Sequence, residues 1–371
     1  MLRRTFALLA LAACAALSTC QRESPTPSAT ISVAQAMSAP ADERFERARE
    51  PREFSFPRDH GAQPSFQTEW WYFTANLRAA NGDEFGCQLT FFRRATRFEA
   101  PPSASRWSSR DVHMAHFAVS DVARGELREF ERFERGALEL AGATLEPHWR
   151  VWNRDWSASG SLERGGAVRL EAREGDVALE LELSSLTDPV LNGERGLSRK
   201  GSADGAASYY YSLPRMAARG TIELDGQSFA VSGRAWFDRE WSTSALDAGQ
   251  VGWDWFALRL GEAGELMLYS MRRSDGAVDE HSSGTWIDAQ GRAQALTRAD
   301  FSIEVLDTWT SPSSAVRYPS RWRVRAREVE LEVTPLIADQ ELNLSVRYWE
   351  GAVRVRGEVR GRSVDERGYV E

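Results

Sequence analysis

The 371-residue chain carries 46 basic and 54 acidic side chains, a net charge of −8, and 42% of its residues are hydrophobic. At roughly 150 residues per domain this length suits two domains, each able to bury a core. The acidic balance, the single lysine (Lys200) and the lack of a sustained basic stripe argue against a nucleic-acid partner.

At the N-terminus, Arg3 and Arg4 precede the apolar run TFALLALAACAALS. This run is too short to span a bilayer and reads as an export signal. Two lipobox-like sites follow, LAAC ending at Cys14 and LSTC ending at Cys20. Cys20 leaves the more usual signal length, so residues 1–20 are expected to be a lipoprotein signal peptide with Cys20 lipidated. The expected location is extracytoplasmic, anchored through that lipid on the periplasmic side of a membrane. An ordinary cleaved signal would give a secreted protein instead. Residues 21–53 begin rich in Ser, Pro, Ala and Thr and read as a flexible linker. Cys87 is the only cysteine further on, so packing rather than an internal disulfide must hold the fold.

From Phe54 onward, period-two alternation dominates, punctuated by Gly, Asp and Asn. DVALELELSSL (176–186) and EVELEVTPL (328–336) alternate apolar and acidic residues, and they resemble each other. Other stretches recur in the same order. In WWYFTANL and WDWFALRL, Trp70 answers Trp253, Tyr72 answers Trp255, Phe73 answers Phe256, and Leu77 answers Leu260. Each is followed by a strand ending in paired arginines, at Arg94 and Arg273. The pattern predicts an all-β protein of two duplicated units, residues 54–226 and 227–371. Each is expected to be an antiparallel β-barrel, with β-sandwiches as the alternative.

The segments FPRDHGAQPSFQTEWWYFTANL, AWFDREWS, GWDWFALRL and YWEGAV, within Phe54–Glu371, resemble the AttH/CrtC-like family. That family includes the carotenoid 1,2-hydratases (hydroxyneurosporene synthases) and exported lipoproteins described as predicted secreted hydrolases. The resemblance implies two tandem lipocalin-like barrels. In the hydratases the stretch matching DREW looks like Asp-His-x-Trp, with the His implicated in catalysis. Arg239 stands at that place, and a guanidinium does not exchange protons near neutral pH as an imidazole does.

If GRAWFDREWS (233–242) is a strand, Trp236, Asp238 and Glu240 share one face, and Phe237, Arg239 and Trp241 share the other. Two carboxyls beside an indole can act as an acid/base pair, because repulsion and burial raise one pKa. Asp254, between Trp253 and Trp255, is a second candidate partner for Asp238. Hydration of an isolated double bond needs an acid to protonate carbon, aromatic faces to stabilise the cation and a base for water. The expected catalytic residues are therefore Asp238, Glu240 and Asp254. The expected ligand contacts are Trp236, Trp241, Trp253, Trp255, Tyr211 and Arg239. A structural role competes for each: Arg239 can pair with a carboxylate under indoles, and Glu69 can be the buried partner of Arg93 or Arg94. His113 and His116, three apart, fall on opposite faces of a strand, so no shared metal is expected. No paired-cysteine, HExxH or GxSxG pattern points to zinc or a serine hydrolase, and no cofactor is expected. The first expectation for function is an apolar-ligand binder, with a lipid- or terpenoid-like guest, able to serve a permease of an ABC-type exporter. The alternative is a carotenoid 1,2-hydratase-like hydro-lyase. A third reading is a docking lipoprotein with filled pockets.

Overall fold

Alternation decides how the strands lie. In Val177–Ser185, Leu179, Leu181 and Leu183 are buried, while Glu180 and Glu182 are exposed. In Val329–Pro335, Val329, Leu331 and Val333 are buried around exposed Glu330 and Glu332. A computed structural model describes residues 31–32, 42–100, 102–103, 105–243 and 246–371. Cys14, Cys20 and the expected signal peptide lie outside the described residues.

The chain is all-β, with a nearly closed barrel sheet followed by a half-barrel sheet. The first sheet starts as a meander of Thr68–Ala79, Glu84–Ala95, Asp111–Asp121 and Glu126–Arg135. Gln227–Ser242 lies on the other side of Thr68–Ala79, and Ala207–Leu224, Val177–Ser185 and Ala167–Glu174 continue outward. The second sheet repeats this path. Gln250–Arg259, Glu265–Arg273, Ser283–Ile287 and Ala293–Leu296 form the meander, and Arg362–Val370 takes the place beside Gln250–Arg259. The duplication read from sequence thus recurs in strand order.

One boundary differs. The turn at Asp225–Gly226 joins two strands paired from Leu224↔Gln227 to Tyr209↔Trp241, so the expected division at 226 falls inside a hairpin of the first sheet. Gln227–Ser242 pairs with Thr68–Ala79, and the chain crosses to the second sheet between Ser242 and Gln250. The end of the expected linker also differs. Phe45 and Ala48 are buried, and Glu46 N–H donates to the Ser65 carbonyl at 2.9 Å, so residues 42–53 pack on the first sheet.

Each sheet has its own core. Phe73, Phe237 and Trp149 fill the first, and Phe256, Trp322 and Val353 fill the second. A third apolar cluster joins the halves, with Tyr72, Tyr210 and Trp236 packed on Trp255, Met267 and Tyr269. The approach is close: a Cβ on Gly86 would sit 2.7 Å from the Ala352 Cβ. Arg215 clamps the joint, donating to both oxygens of Glu265 at 2.6 and 2.7 Å.

Candidate functional site

The strand Gln227–Ser242 is buried on both faces from Ala235 onward. Its alternation holds as expected, but the two faces have different surroundings. Phe237, Arg239 and Trp241 point into the first barrel. Trp236, Asp238 and Glu240 point towards the second half, where a cavity of about 180 Å³ lies between the sheets. The repeat explains its aromatic walls. Trp70 and Tyr72 line it from the first sheet, and their counterparts Trp253 and Trp255 line it from the second. The Tyr72 and Trp255 rings meet edge to face at 5.2 Å.

Asp238 is 3% exposed. Its carboxyl accepts from Ser212 Oγ at 2.5 Å, Trp236 Nε1 at 2.7 Å and the Tyr210 hydroxyl at 2.7 Å. Tyr210 in turn accepts from Trp255 Nε1 at 3.1 Å. Burial pushes the Asp238 carboxyl up to about 7, against the pull of those three donors. Glu240 accepts from the Ser208 hydroxyl and lies 3.4 Å from Lys200 Nζ. Lys200 sits 3.7 Å above the Tyr269 ring; burial opposes its charge, but Glu240 holds its pKa above the ordinary lysine range.

Two further carboxyls complete the lining. Burial raises Glu350 well above the carboxylate range; Oε1 accepts from the Tyr72 hydroxyl, and Oε2 has no hydrogen-bond partner among the described residues. Burial likewise pushes Glu371 up to about 7. Further along the first sheet, His116 and Gln88 meet Tyr348, which also lines the cavity.

The expected residues therefore separate. Asp238, Glu240, Trp236, Trp253 and Trp255 come together at the cavity or in the cluster beneath it. Asp254 does not join them: it faces away from Trp253 and Trp255 and pairs with Arg272 at 2.8 Å. Arg239, Trp241 and Tyr211 belong to the barrel interior. Arg239 is wholly buried, bonded to Glu69 and lying 4.0 Å over the Trp71 ring, and Glu69 also holds Arg93. Burial opposes the Glu69 charge, but the two guanidiniums keep its pKa below the ordinary value. Trp241 packs against Phe54, and Tyr211 bonds His60. Tyr210, on the other face of the same strand, is the tyrosine that reaches the cavity. Sequence reasoning missed Lys200, Glu371 and Tyr72. Among the described residues, no group of three or more His, Cys, Asp or Glu side chains is arranged to hold a metal.

A family model described as AttH-like matches residues 47–371. The chain is 33% identical to a solved structure described as an AttH of Nitrosomonas europaea, over 88% of this chain and 98% of that one, with a TM-score of 0.77. Kievitone hydratase of Fusarium solani subsp. phaseoli is 20% identical over 55% of this chain, and the match spans 59% of that relative's length. The structure of kievitone hydratase from Nectria haematococca shares the fold at 14% identity, over 89% of this chain and 96% of that one, with a TM-score of 0.65.

Proposed function

We propose, because the chain belongs to the AttH-like family and its cavity sets acids among aromatic faces, that it binds an apolar, unsaturated molecule between its two halves and interconverts an isolated double bond with its hydrate. The observation that carries this reading is Asp238, a buried carboxyl with its pKa near 7 in a wall of indoles and phenols. A pocket that merely held an apolar guest would gain nothing from burying such a group. An acid whose pKa lies near the working pH is well matched to proton transfer.

Asp238 would give its proton to one alkene carbon, with the hydroxyl of Ser212 or Tyr210 turning to fit the protonated form. The bond's electron pair forms the new C–H bond and leaves a cation on the more substituted carbon, facing Trp253, Trp255 and Tyr72. Water adds there and loses a proton. Cavities of about 150 Å³ admit benzene, so this one suits a prenyl-sized arm rather than an entire long polyene. Arg239 faces the barrel interior, so its presence where hydratases carry His leaves the cavity chemistry untouched. A sequence relative named kievitone hydratase supports the same class of reaction.

The test is incubation with acyclic terpenoids and prenylated phenols in heavy-oxygen water. A product heavier by one labelled water supports the reading; intact substrate across both panels, with binding demonstrated, removes it. Binding without turnover is the second reading, favoured by walls that are mainly aromatic. Export, lipidation at Cys20 and service to an ABC-type permease complete the proposal. Labelled palmitate should enter the wild type in a bacterial host and be absent from Cys20→Ala.

A further inference from the structure

The hydration reading leaves one role open, the group that takes the proton from water. Glu240, the partner expected from sequence, is poorly suited. It is tied to Lys200 and to the Ser208 hydroxyl. Asp254 lies outside the cavity. The first sheet offers a different device further along the row that runs from Asp238 through Tyr72 and Thr90 to His116. His116 lies on Asp111–Asp121, directly across the ladder from Glu131 on Glu126–Arg135. Tyr348 comes from Val346–Trp349, a short strand contributed by the C-terminal part of the chain. The site is thus completed only when the two parts meet.

The hydrogen bonds fix the direction of each proton. Glu131 Oε1 lies 3.0 Å from His116 Nε2 and also accepts from Ser345 Oγ at 2.6 Å. Burial opposes its charge, but His116 and Ser345 hold the Glu131 carboxyl below its ordinary pKa, so it is an acceptor. His116 Nε2 must therefore carry the ring proton. That leaves Nδ1 as an acceptor, 2.6 Å from the Tyr348 hydroxyl, which donates to it. Gln88 Nε2 donates to the same oxygen at 3.1 Å. With its own proton aimed at the imidazole and one lone pair taken, the Tyr348 oxygen has one lone pair left. Tyr348 and His116 both line the cavity.

We propose that Tyr348, His116 and Glu131 are the water-activating relay of this cavity, resting on the hydration reading above. As the oxygen of water bonds to the cationic carbon, its O–H bond breaks and the proton passes to the Tyr348 oxygen. The Tyr348 proton moves to His116 Nδ1, and the imidazolium is stabilised by Glu131. The Glu131 side chain is 14% exposed, so the proton can leave to solvent, and Asp238 is recharged from solvent for the next turnover. One proton enters carbon, one leaves water, and no other reactant is needed. Tyr348 is the catalytic residue; His116 stores its proton, and Glu131 is a positioning residue.

Among the described residues, the charged groups that act on this relay are Glu131 beside His116, and Glu350 and Glu371 on Tyr348. The test measures steady-state hydration and ligand affinity for the wild type, Tyr348→Phe and Glu131→Gln. Tyr348→Phe should lower kcat by about 100-fold or more, the usual range for a lost acid–base group, with ligand affinity held within about threefold. Glu131→Gln should lower the kcat plateau by about tenfold. Ligand affinity should again hold within about threefold, so that the loss falls on kcat. Tyr348→Phe with wild-type turnover would overturn the relay while leaving hydration standing. An unchanged kcat in Glu131→Gln would overturn the roles of His116 and Glu131. A wild type without turnover would overturn both readings together.

Discussion

Replacing Asp238 with Asn separates the stability cost of the buried acid from its chemistry. The side chain is 3% exposed, and its pKa rises from 3.8 to about 7 on folding. Below pH 3.8 the group is protonated in both folded and unfolded chains, so it contributes nothing to the pH dependence. As pH rises from there, the unfolded chain gives up the proton first, and the folded chain is progressively penalised. The penalty is about 2 kcal/mol at pH 5 and levels off above pH 7 at about 4 kcal/mol. Asn keeps the volume and an oxygen for Ser212 and Trp236, but it turns an N–H towards the Tyr210 hydroxyl, which already accepts from Trp255. That misfit costs about 1–2 kcal/mol at any pH. Asp238→Asn should therefore match the wild type near pH 5 and exceed it by about 2–3 kcal/mol at pH 8. Glu350 and Glu371 are present in both proteins and drop out of the difference. Urea unfolding at the two pH values measures it. Parallel pH dependences for the two proteins would refute the claim that Asp238 is held protonated by burial.

Arg239→His should not create or raise activity, since the side chain faces the barrel interior; it should destabilise the fold by about 3–5 kcal/mol by leaving Glu69 under-compensated, read by denaturant unfolding. Trp255→Ala should weaken apolar-ligand affinity and remove much of the ligand-induced change in tryptophan fluorescence, because Trp255 lines the cavity; an unchanged titration would place the guest elsewhere. The Cys87 thiol, buried and pushed up in pKa by that burial, should resist a thiol reagent in the native protein and react fully in denaturant.

The strand pairing explains what the sequence could convey. Period-two alternation identifies which residues share a face, and Trp236, Asp238 and Glu240 do share one. It does not identify which face meets a cavity when both are buried. That is why Tyr211 and Arg239 read as ligand contacts while the cavity belongs to Tyr210 and Asp238. The repeat carried more than was taken from it. Trp70 and Tyr72 answer Trp253 and Trp255, and a cavity walled by one pair is walled by its counterpart too, which would have found Tyr72. Lys200 carried a compositional signal as the only lysine, but no spacing ties it to Glu240. Glu371 and the His116–Tyr348 contact depend on how the two halves dock, which no local pattern encodes. The hairpin turn at 225–226 looked like a division because Gly and Asp mark turns within units as readily as turns between them.

The central claim is that a buried carboxylic acid in this cavity protonates an alkene carbon. Turnover of a prenylated or acyclic terpenoid substrate in deuterium oxide tests it most directly. The account predicts a tertiary alcohol with one non-exchangeable deuterium on the carbon next to the carbinol, formed by the wild type and lost in Asp238→Asn while ligand binding persists. Product without carbon-bound deuterium, or undiminished turnover by Asp238→Asn, would contradict it.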